Sequence, residues 1–474
     1  MSVIAQLEKE LSGAESYAQW KAIAEQLDAL EGKLEWRQSN ATVHYDAELL
    51  AEHIRQLRTL RKVGSELPLM HVLQESVYRH LGEISNPALY QVARTGTQVM
   101  VREFLHEAAA SLRYLCDHEV AGLSKNAKRL MFEQASHNFG QTALMLSGGA
   151  AFGIYHTGVA KALWSQKLLP KVISGSSMGS IVAAAICTRS DAELDEFFAH
   201  PEQIHREAIK WHSPSRMLSE KYLLDSDQLM AHIMANVGSF TFREAYAHSG
   251  RTLNITVSPT RSRQKPRVLC HLTAPNVLIA DSALASCAIP GAFPPVRLHA
   301  RSPDGTRMPY LATEKWIDGS VHGDLPKIRI ARMHNVNHTI VSQANPHVLP
   351  FIAHPRKKGV LPFVRHLGSS MLHSQLVEVL EVGRDLLANS KWRPLLDKWH
   401  AMARQTYLGD INIQLPFHPT LYRKVVSNPS MAELNTYIRL GEQATWPKIA
   451  EIEDQTFLYK VFEECLAKLR LAEA

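Results

Sequence analysis

Residues 47–63 place Leu49, Leu50, Ile54, Leu57 and Leu60 on one face at helical spacing, with Arg and Glu filling the rest. That spacing predicts an amphipathic helix. Residues 86–115 carry a similar stripe behind Asn86-Pro87, a helix-start signal. The whole of 1–138 reads as helical, and no reactive side chain there sits on a glycine-rich turn. The texture changes at Phe139. A short apolar run (142–146) meets a glycine turn (148–153), and helical spacing resumes through Val159, Leu163, Leu168 and Leu169. Val172 and Ile173, a tight turn and a helix from about Ser180 repeat the plan. Strand–turn–helix twice in succession predicts a βαβ unit and a parallel sheet. Further strands are expected at 251–259, 276–280, 315–319 and 338–343. Beyond Asn345, an amphipathic stretch covers 369–390 and a closing helix 451–471.

At 474 residues the chain is too long for one simple core. The pattern divides it into a helical unit (1–138), an α/β unit (139–345) and a mainly helical region (346–474). With 45% apolar and 21% charged residues it has the composition of an ordinary globular protein. No apolar run approaches the ~18–20 residues of a membrane helix. The first residues contain early acids and no apolar core, which is not a secretory signal. Five scattered cysteines without C-x-x-C spacing fit reduced thiols and a cytoplasmic setting. The net charge of +6 is compatible with an anionic lipid surface. The best basic cluster, His354-Pro-Arg-Lys-Lys358, is short and lone and lacks the interleaved aromatics of a nucleic-acid site, so no nucleic acid is expected. No His/Cys/Asp cluster has metal-ligand spacing, so neither metal nor cofactor is expected.

The chemistry concentrates in residues 174–180, Ser-Gly-Ser-Ser-Met-Gly-Ser. Of its serines only Ser177 has glycines two places before and after, Gly175 and Gly179. Glycines there permit a sharp strand-to-helix turn with the serine at its apex and a helix N-terminus facing it. Alone, the pattern describes a small-residue loop equally well. Upstream, Ser147-Gly-Gly-Ala-Ala-Phe-Gly153 is a second strand-to-helix turn. Parallel-sheet geometry would bring the amides of Gly148, Gly149 and Ala150 to face Ser177, as an oxyanion hole requires. A dinucleotide fingerprint needs glycine at 150 and an acid about twenty residues on. Between Glu133 and Asp191 there is no acidic residue at all. That interval argues against a nucleotide site and suits an oxyanion.

A serine needs a base. Asp318 ends an apolar strand and precedes Gly319, a pair that also reads as a turn dipeptide. Asp324 is a second carboxylate in that loop, and His322, His338 or His347 could complete a triad. Local pattern leaves these open. His299 and Asp304 fit the His-x4-Asp pattern of glycerolipid acyltransferases, a match that 24 histidines produce by chance.

Residues 146–159, 174–184, 316–326 and 337–347 together resemble the patatin-like phospholipase superfamily. They are most similar to its branch of fungal and plant triacylglycerol lipases. The similarity extends through 86–97, 241–259, 272–293 and 444–453. It implies a three-layer patatin-like sandwich with a mainly parallel sheet, flanked by helical regions. It also implies a Ser–Asp dyad, with Ser177 as nucleophile, Asp318 as general base, Gly148, Gly149 and Ala150 as oxyanion loop, and Gly153 closing that turn. Ala150 stands where the wider superfamily has glycine, Phe152 where it often has a basic residue, and Ser320 where glycine or alanine usually follows. The expected activity is hydrolysis of long-chain glycerolipid esters, triacylglycerol first, at a peripheral membrane or lipid-droplet surface. A phospholipase, a lysolipid acyltransferase and a non-enzymatic lipid-binding module are the alternatives. Residues 354–367 and the stretch after them are the expected lipid contact.

Overall fold

Seven helices precede the first strand: α1 (Val3–Ser12), α2 (Tyr17–Leu30), α3 (Lys33–Gln38), α4 (Ala47–Val63), α5 (Glu66–Ser76), α6 (Val99–Asp117) and α7 (Lys125–Phe139). The computed structural model describes residues 2–40, 42–261, 264–346, 348–349, 407–416 and 424–471, with only the backbone of Val321 and His322. Ser2, Ser16, Asp46 and Ser124 cap α1, α2, α4 and α7 by accepting a backbone N–H of the first turn. In α4 the expected stripe is realised: Leu50, Ile54 and Leu57 are buried. The stripe of 86–115 breaks in two. Asn86 and Pro87 open a single 3₁₀ turn, Pro87–Tyr90, and the helix itself begins at Val99.

A seven-stranded sheet follows. Its strands are β1 (Gln141–Leu146), β2 (Val172–Gly175), β3 (Thr252–Pro259), β4 (Arg267–Leu269), β7 (Trp316–Asp318), β8 (Val336–Gln343) and β9 (Ile411–Gln414). The order is β4-β3-β2-β1-β8-β9, with β7 off this path, pairing the end of β3 opposite β4 and beyond β2. The pairs β1–β2, β1–β8, β2–β3 and β8–β9 are parallel, while β4 and β7 run antiparallel to β3. β5 (His299–Arg301) and β6 (Arg307–Pro309) form a separate ribbon.

Alternate residues enter two cores, so both faces are covered. Leu144, Leu146, Ile173 and Ile340 face the larger one, with side chains from α8 (Tyr155–Ser165), α9 (Met178–Cys187), α12 (Ser226–Val237) and α14 (Ile279–Ser286). Between these run α10 (Asp191–Ala199), α11 (Pro214–Glu220) and α13 (Phe242–Ser249). Ala143, Met145, Val172 and Val341 face the smaller core, closed by Ile330 of α16 (Lys327–His334), which follows the short α15 (Ser320–Gly323).

The last helices, α17 (Met431–Thr445) and α18 (Ile449–Leu471), do not form a core of their own. Leu434 and Ile438 of α17 join the sheet core, while Leu458, Phe462 and Leu469 of α18 join the N-terminal helices. β9 likewise extends the sheet. The strand expected at 276–280 is corrected: Val277 makes one isolated bridge to Ala300, and α14 starts at Ile279. The stretches at 354–367 and 369–390 lie outside the described residues. Among the described residues no helix is long and apolar enough to cross a membrane.

Candidate active site

β1 and β2 are parallel neighbours in register at Leu146 and Gly175, so the turns that follow them emerge side by side at the carboxyl end of the sheet. Ser177 is the apex of the second turn, at φ 50° and ψ −131°, and α9 begins one residue later. A non-glycine residue in that region stores strain that only dense surroundings sustain. Those surroundings are visible at its glycines. A Cβ on Gly175 would overlap the Gly179 carbonyl, and one on Gly179 the Ser147 carbonyl. The Ser177 amide donates to Ser286 Oγ of α14 at 3.0 Å, and that hydroxyl donates to Thr256 O of β3 at 2.7 Å.

Asp318 closes β7, opposite Val257 of β3, and is fully buried. Its Oδ1 accepts from the Ser320 amide (2.8 Å) and hydroxyl (2.7 Å), while the equally buried Oδ2 has no hydrogen-bond partner among the described residues. Burial pushes the carboxyl from 3.8 up to about 6, opposed by the Ser320 donors and then by the Ser177 hydroxyl. Ser320, the departure seen in the sequence, thus fixes one carboxylate oxygen and leaves the other open. Gly319 is tight for a different reason: a Cβ there would overlap Thr256 O. The Cys287 thiol interacts with Ser177, Ser180 and Asp318. Burial first and the Asp318 charge second push it up, so it stays neutral.

The glycine turn lies against this pair. A Cβ on Gly148 would stand 3.4 Å from Ser177 Cβ and 3.6 Å from Ser320 Cβ, and one on Gly153 would overlap Met178. Of the three amides expected to face Ser177, one is engaged elsewhere. Gly148 N–H already donates to Asp324 Oδ1 at 2.9 Å. Ser147 N–H goes to Ser342 O, Ala151 N–H to Val425 O and Phe152 N–H to Gly149 O. Of the six amides from 147 to 152, only those of Gly149 and Ala150 meet no acceptor among the described residues. Ala150 occupies the left-handed region itself, at φ 47°.

Three groups that the sequence left unassigned hold this turn. Asp324 is buried; besides Gly148 its carboxylate accepts from Asn345 Nδ2 at 2.6 Å, and burial, then the Gly148 bond, then the Asp318 charge set its proton affinity near 7. Asn345 follows β8. His156, fully buried on α8, bridges Ser342 Oγ (2.7 Å) and Ser147 O (3.0 Å); burial lowers it to about 4, so it is the neutral imidazole donating to the carbonyl. Asp324 and Gly148 are 176 positions apart, His156 and Ser342 are 186 apart, Asn345 and Asp324 are 21 apart, and His156 sits on a helix face with no local motif.

Of the histidines weighed for a triad, His338 is at the wrong end. It pairs with Thr142 at the start of β1, four residues before Ser342, or ~13 Å along the strand at ~3.3 Å per residue. His347 and the side chain of His322 lie outside the described residues. His299 bonds Asp281 Oδ2 at 2.8 Å, whereas Asp304 accepts from Thr306 of its own turn, so the His-x4-Asp match does not come together. Among the described residues no three His, Cys, Asp or Glu side chains cluster as metal ligands would.

A serine on a strand-to-helix elbow at the carboxyl end of a parallel sheet is the arrangement of α/β serine hydrolases as a class. The family model "Patatin-like phospholipase" matches residues 144–327, and "Domain of unknown function (DUF3336)" matches 2–137. Triacylglycerol lipase ptl3 of Schizosaccharomyces pombe is 33% identical, over 94% of this chain and 93% of its own length. Triacylglycerol lipase SDP1L of Arabidopsis thaliana (97% of this chain) and triacylglycerol lipase 4 of Saccharomyces cerevisiae (93%) are also 33% identical. The chain spans only 58% and 50% of the length of these two relatives. It belongs to the patatin-like phospholipase family, in the branch that couples a DUF3336 unit to the patatin domain.

Proposed function

We propose that the chain is a serine acyl hydrolase cleaving long-chain acyl esters of glycerolipids, triacylglycerol before phospholipid, with Ser177 as nucleophile and Asp318 as general base. The observation that carries this reading is the strained Ser177 elbow beside a buried carboxylate on which the Ser177 hydroxyl acts and whose Oδ2 has no other partner among the described residues. Asp318 Oδ2 takes the Ser177 proton as Oγ attacks the ester carbonyl carbon. The carbonyl electron pair moves onto oxygen, where the Gly149 and Ala150 amides receive it. Collapse expels the diacylglycerol alkoxide, which takes the proton from Asp318 and leaves acyl-Ser177. Water then attacks the acyl carbon, giving its proton to Asp318. The departing Ser177 oxygen recovers that proton and the fatty acid is released. A base with a proton affinity near 6 is ionised at neutral pH yet basic enough to assist.

Preference for triacylglycerol rests on the relatives' names, and the insolubility of that substrate implies peripheral binding to a lipid surface. The test is reaction with a fluorophosphonate probe, mapping of the labelled serine, and turnover of triolein against phosphatidylcholine. Labelling and hydrolysis should disappear in Ser177→Ala. Full activity in that variant refutes the mechanism, and faster phospholipid turnover refutes the substrate.

A further inference from the structure

One buried residue, Asp324, bonds to three loops beside Ser177. Asp324 lies six residues beyond Asp318, past the short α15. Its Oδ1 accepts from the Gly148 amide of the turn after β1, and its Oδ2 from Asn345 Nδ2 of the loop after β8. Its own carbonyl accepts from Ser176 Oγ, the residue before the elbow serine, at 2.8 Å. From the segment before β9, the Tyr407 phenol is pushed up by burial and then by the Asp324 charge. The loop that carries the proposed base therefore also bonds to the turn after β1, the elbow after β2 and the loop after β8.

We propose that Asp324 is a positioning residue for the oxyanion donors, its carboxylate holding the Gly148 amide and thereby aiming the next two N–H groups. This rests on the hydrolase reading above. The physical reason is the continuity of the turn. Gly148 is buried, and a buried N–H without an acceptor is costly enough that the peptide rotates to find one. Rotating the 147–148 peptide redirects the amides of Gly149 and Ala150, the two with no partner of their own. Ala150 resists rearrangement poorly, because its φ of 47° is strained and persists only while its neighbours fix it. His156, through Ser147 O, holds the upstream side of the same turn. What the turn needs from position 324 is an acceptor aimed at Gly148, and an asparagine carbonyl supplies one as well as a carboxylate does.

The experiment measures kcat and KM on a soluble long-chain ester, together with the rate at which a fluorophosphonate labels Ser177, for wild type, Asp324→Ala and Asp324→Asn. Melting temperatures are recorded alongside. Loss of an oxyanion donor costs ~10²–10³ in kcat, so a misaimed pair should cost on the order of 10–100-fold in Asp324→Ala, with KM within about threefold and labelling slowed in parallel. Asp324→Asn should recover to within about threefold of wild type. Wild-type kcat in Asp324→Ala overturns the proposal, and so does an Asp324→Asn variant as impaired as the alanine. Should the alanine variant not fold, Asn345→Ala frees only Oδ2 and should lower kcat severalfold at constant KM; unchanged kcat overturns the proposal. If wild type itself is not labelled at Ser177, the hydrolase reading falls and takes this one with it. Labelling of wild type and Asp324→Ala at equal rates sinks the positioning role alone.

Discussion

Asp318→Asn removes a buried charge and leaves the shape of its site. The carboxyl is fully buried and its proton affinity rises from 3.8 to about 6, with burial as the main cause. At ~1.36 kcal/mol per tenfold change in proton affinity, that rise corresponds to about 3 kcal/mol. The sign follows from which state holds the proton more tightly. The folded protein does, so the stabilisation is complete below pH 3.8 and is lost as pH climbs through about 6. At pH 8 the wild-type protein therefore carries an ionised group that its interior disfavours by about 3 kcal/mol. Asparagine never ionises. Its carbonyl can keep both Ser320 bonds, now 2.7 and 2.8 Å long, while its amide faces Ser177. Urea unfolding of wild type and Asp318→Asn at pH 4, 6 and 8 should give curves that nearly coincide at pH 4. They should separate by pH 6 and favour the variant by up to about 3 kcal/mol at pH 8. Over the same range hydrolysis by the variant should fall ~10²–10⁴-fold, the usual contribution of a general base. A variant no more stable than wild type at pH 8 would refute the claim that burial strains this carboxylate, even if activity is lost.

Two further outcomes are expected. If Asp318 is the base, as proposed, it must be unprotonated to act, and kcat/KM on a soluble ester should fall as pH drops through about 6; a profile flat from pH 5 to 7 removes Asp318 as the base. Gly175→Ala puts a methyl into the Gly179 carbonyl and should destabilise by several kcal/mol with loss of Ser177 labelling, whereas Gly291→Ala, at φ 88° with open space around it, should cost ~1–2 kcal/mol and leave labelling intact. Equal thermal shifts for the two alanines would show that the elbow is not held by close backbone contact.

What the sequence revealed about this site tracks the range of the contacts involved. Ser177 could be chosen among its neighbours because the elbow is enforced locally, by glycines two residues on either side. The two strand–turn–helix repeats were legible for the same reason. Asp318 came only from family resemblance, since a dipeptide at a strand end has many uses. The strand expected at 276–280 failed because Val-Leu-Ile alternation serves equally for a bridge residue followed by a buried helix, and α14 is buried all round. β9 stayed hidden because its apolar–polar alternation, Ile-Asn-Ile-Gln, runs for only four residues. α18 was read as a helix, but not that Ile452 enters one core and Phe462 another. The oxyanion turn shows the limit most sharply. The glycines marked the turn, but deciding which amides were free required acceptors at 324, 342 and 425.

The acid-free interval from Glu133 to Asp191 then takes on a definite meaning. Both glycine turns fall inside it, so any carboxylate near the developing oxyanion has to arrive from elsewhere, and two do, from one loop. They are not equivalent. Burial raises both, but Asp318 lies near 6 and Asp324 near 7, the Asp318 charge being one cause of the higher value. Their surroundings differ: Asp318 accepts from Ser320, whereas Asp324 accepts from Gly148 of the glycine turn and from Asn345. An oxyanion forming at the proposed donors Gly149 and Ala150 would be repelled by an ionised carboxylate at 324 but not by a neutral carboxamide. That is a second reason to expect Asp324→Asn, neutral at every pH, to be tolerated where Asp318→Asn is not.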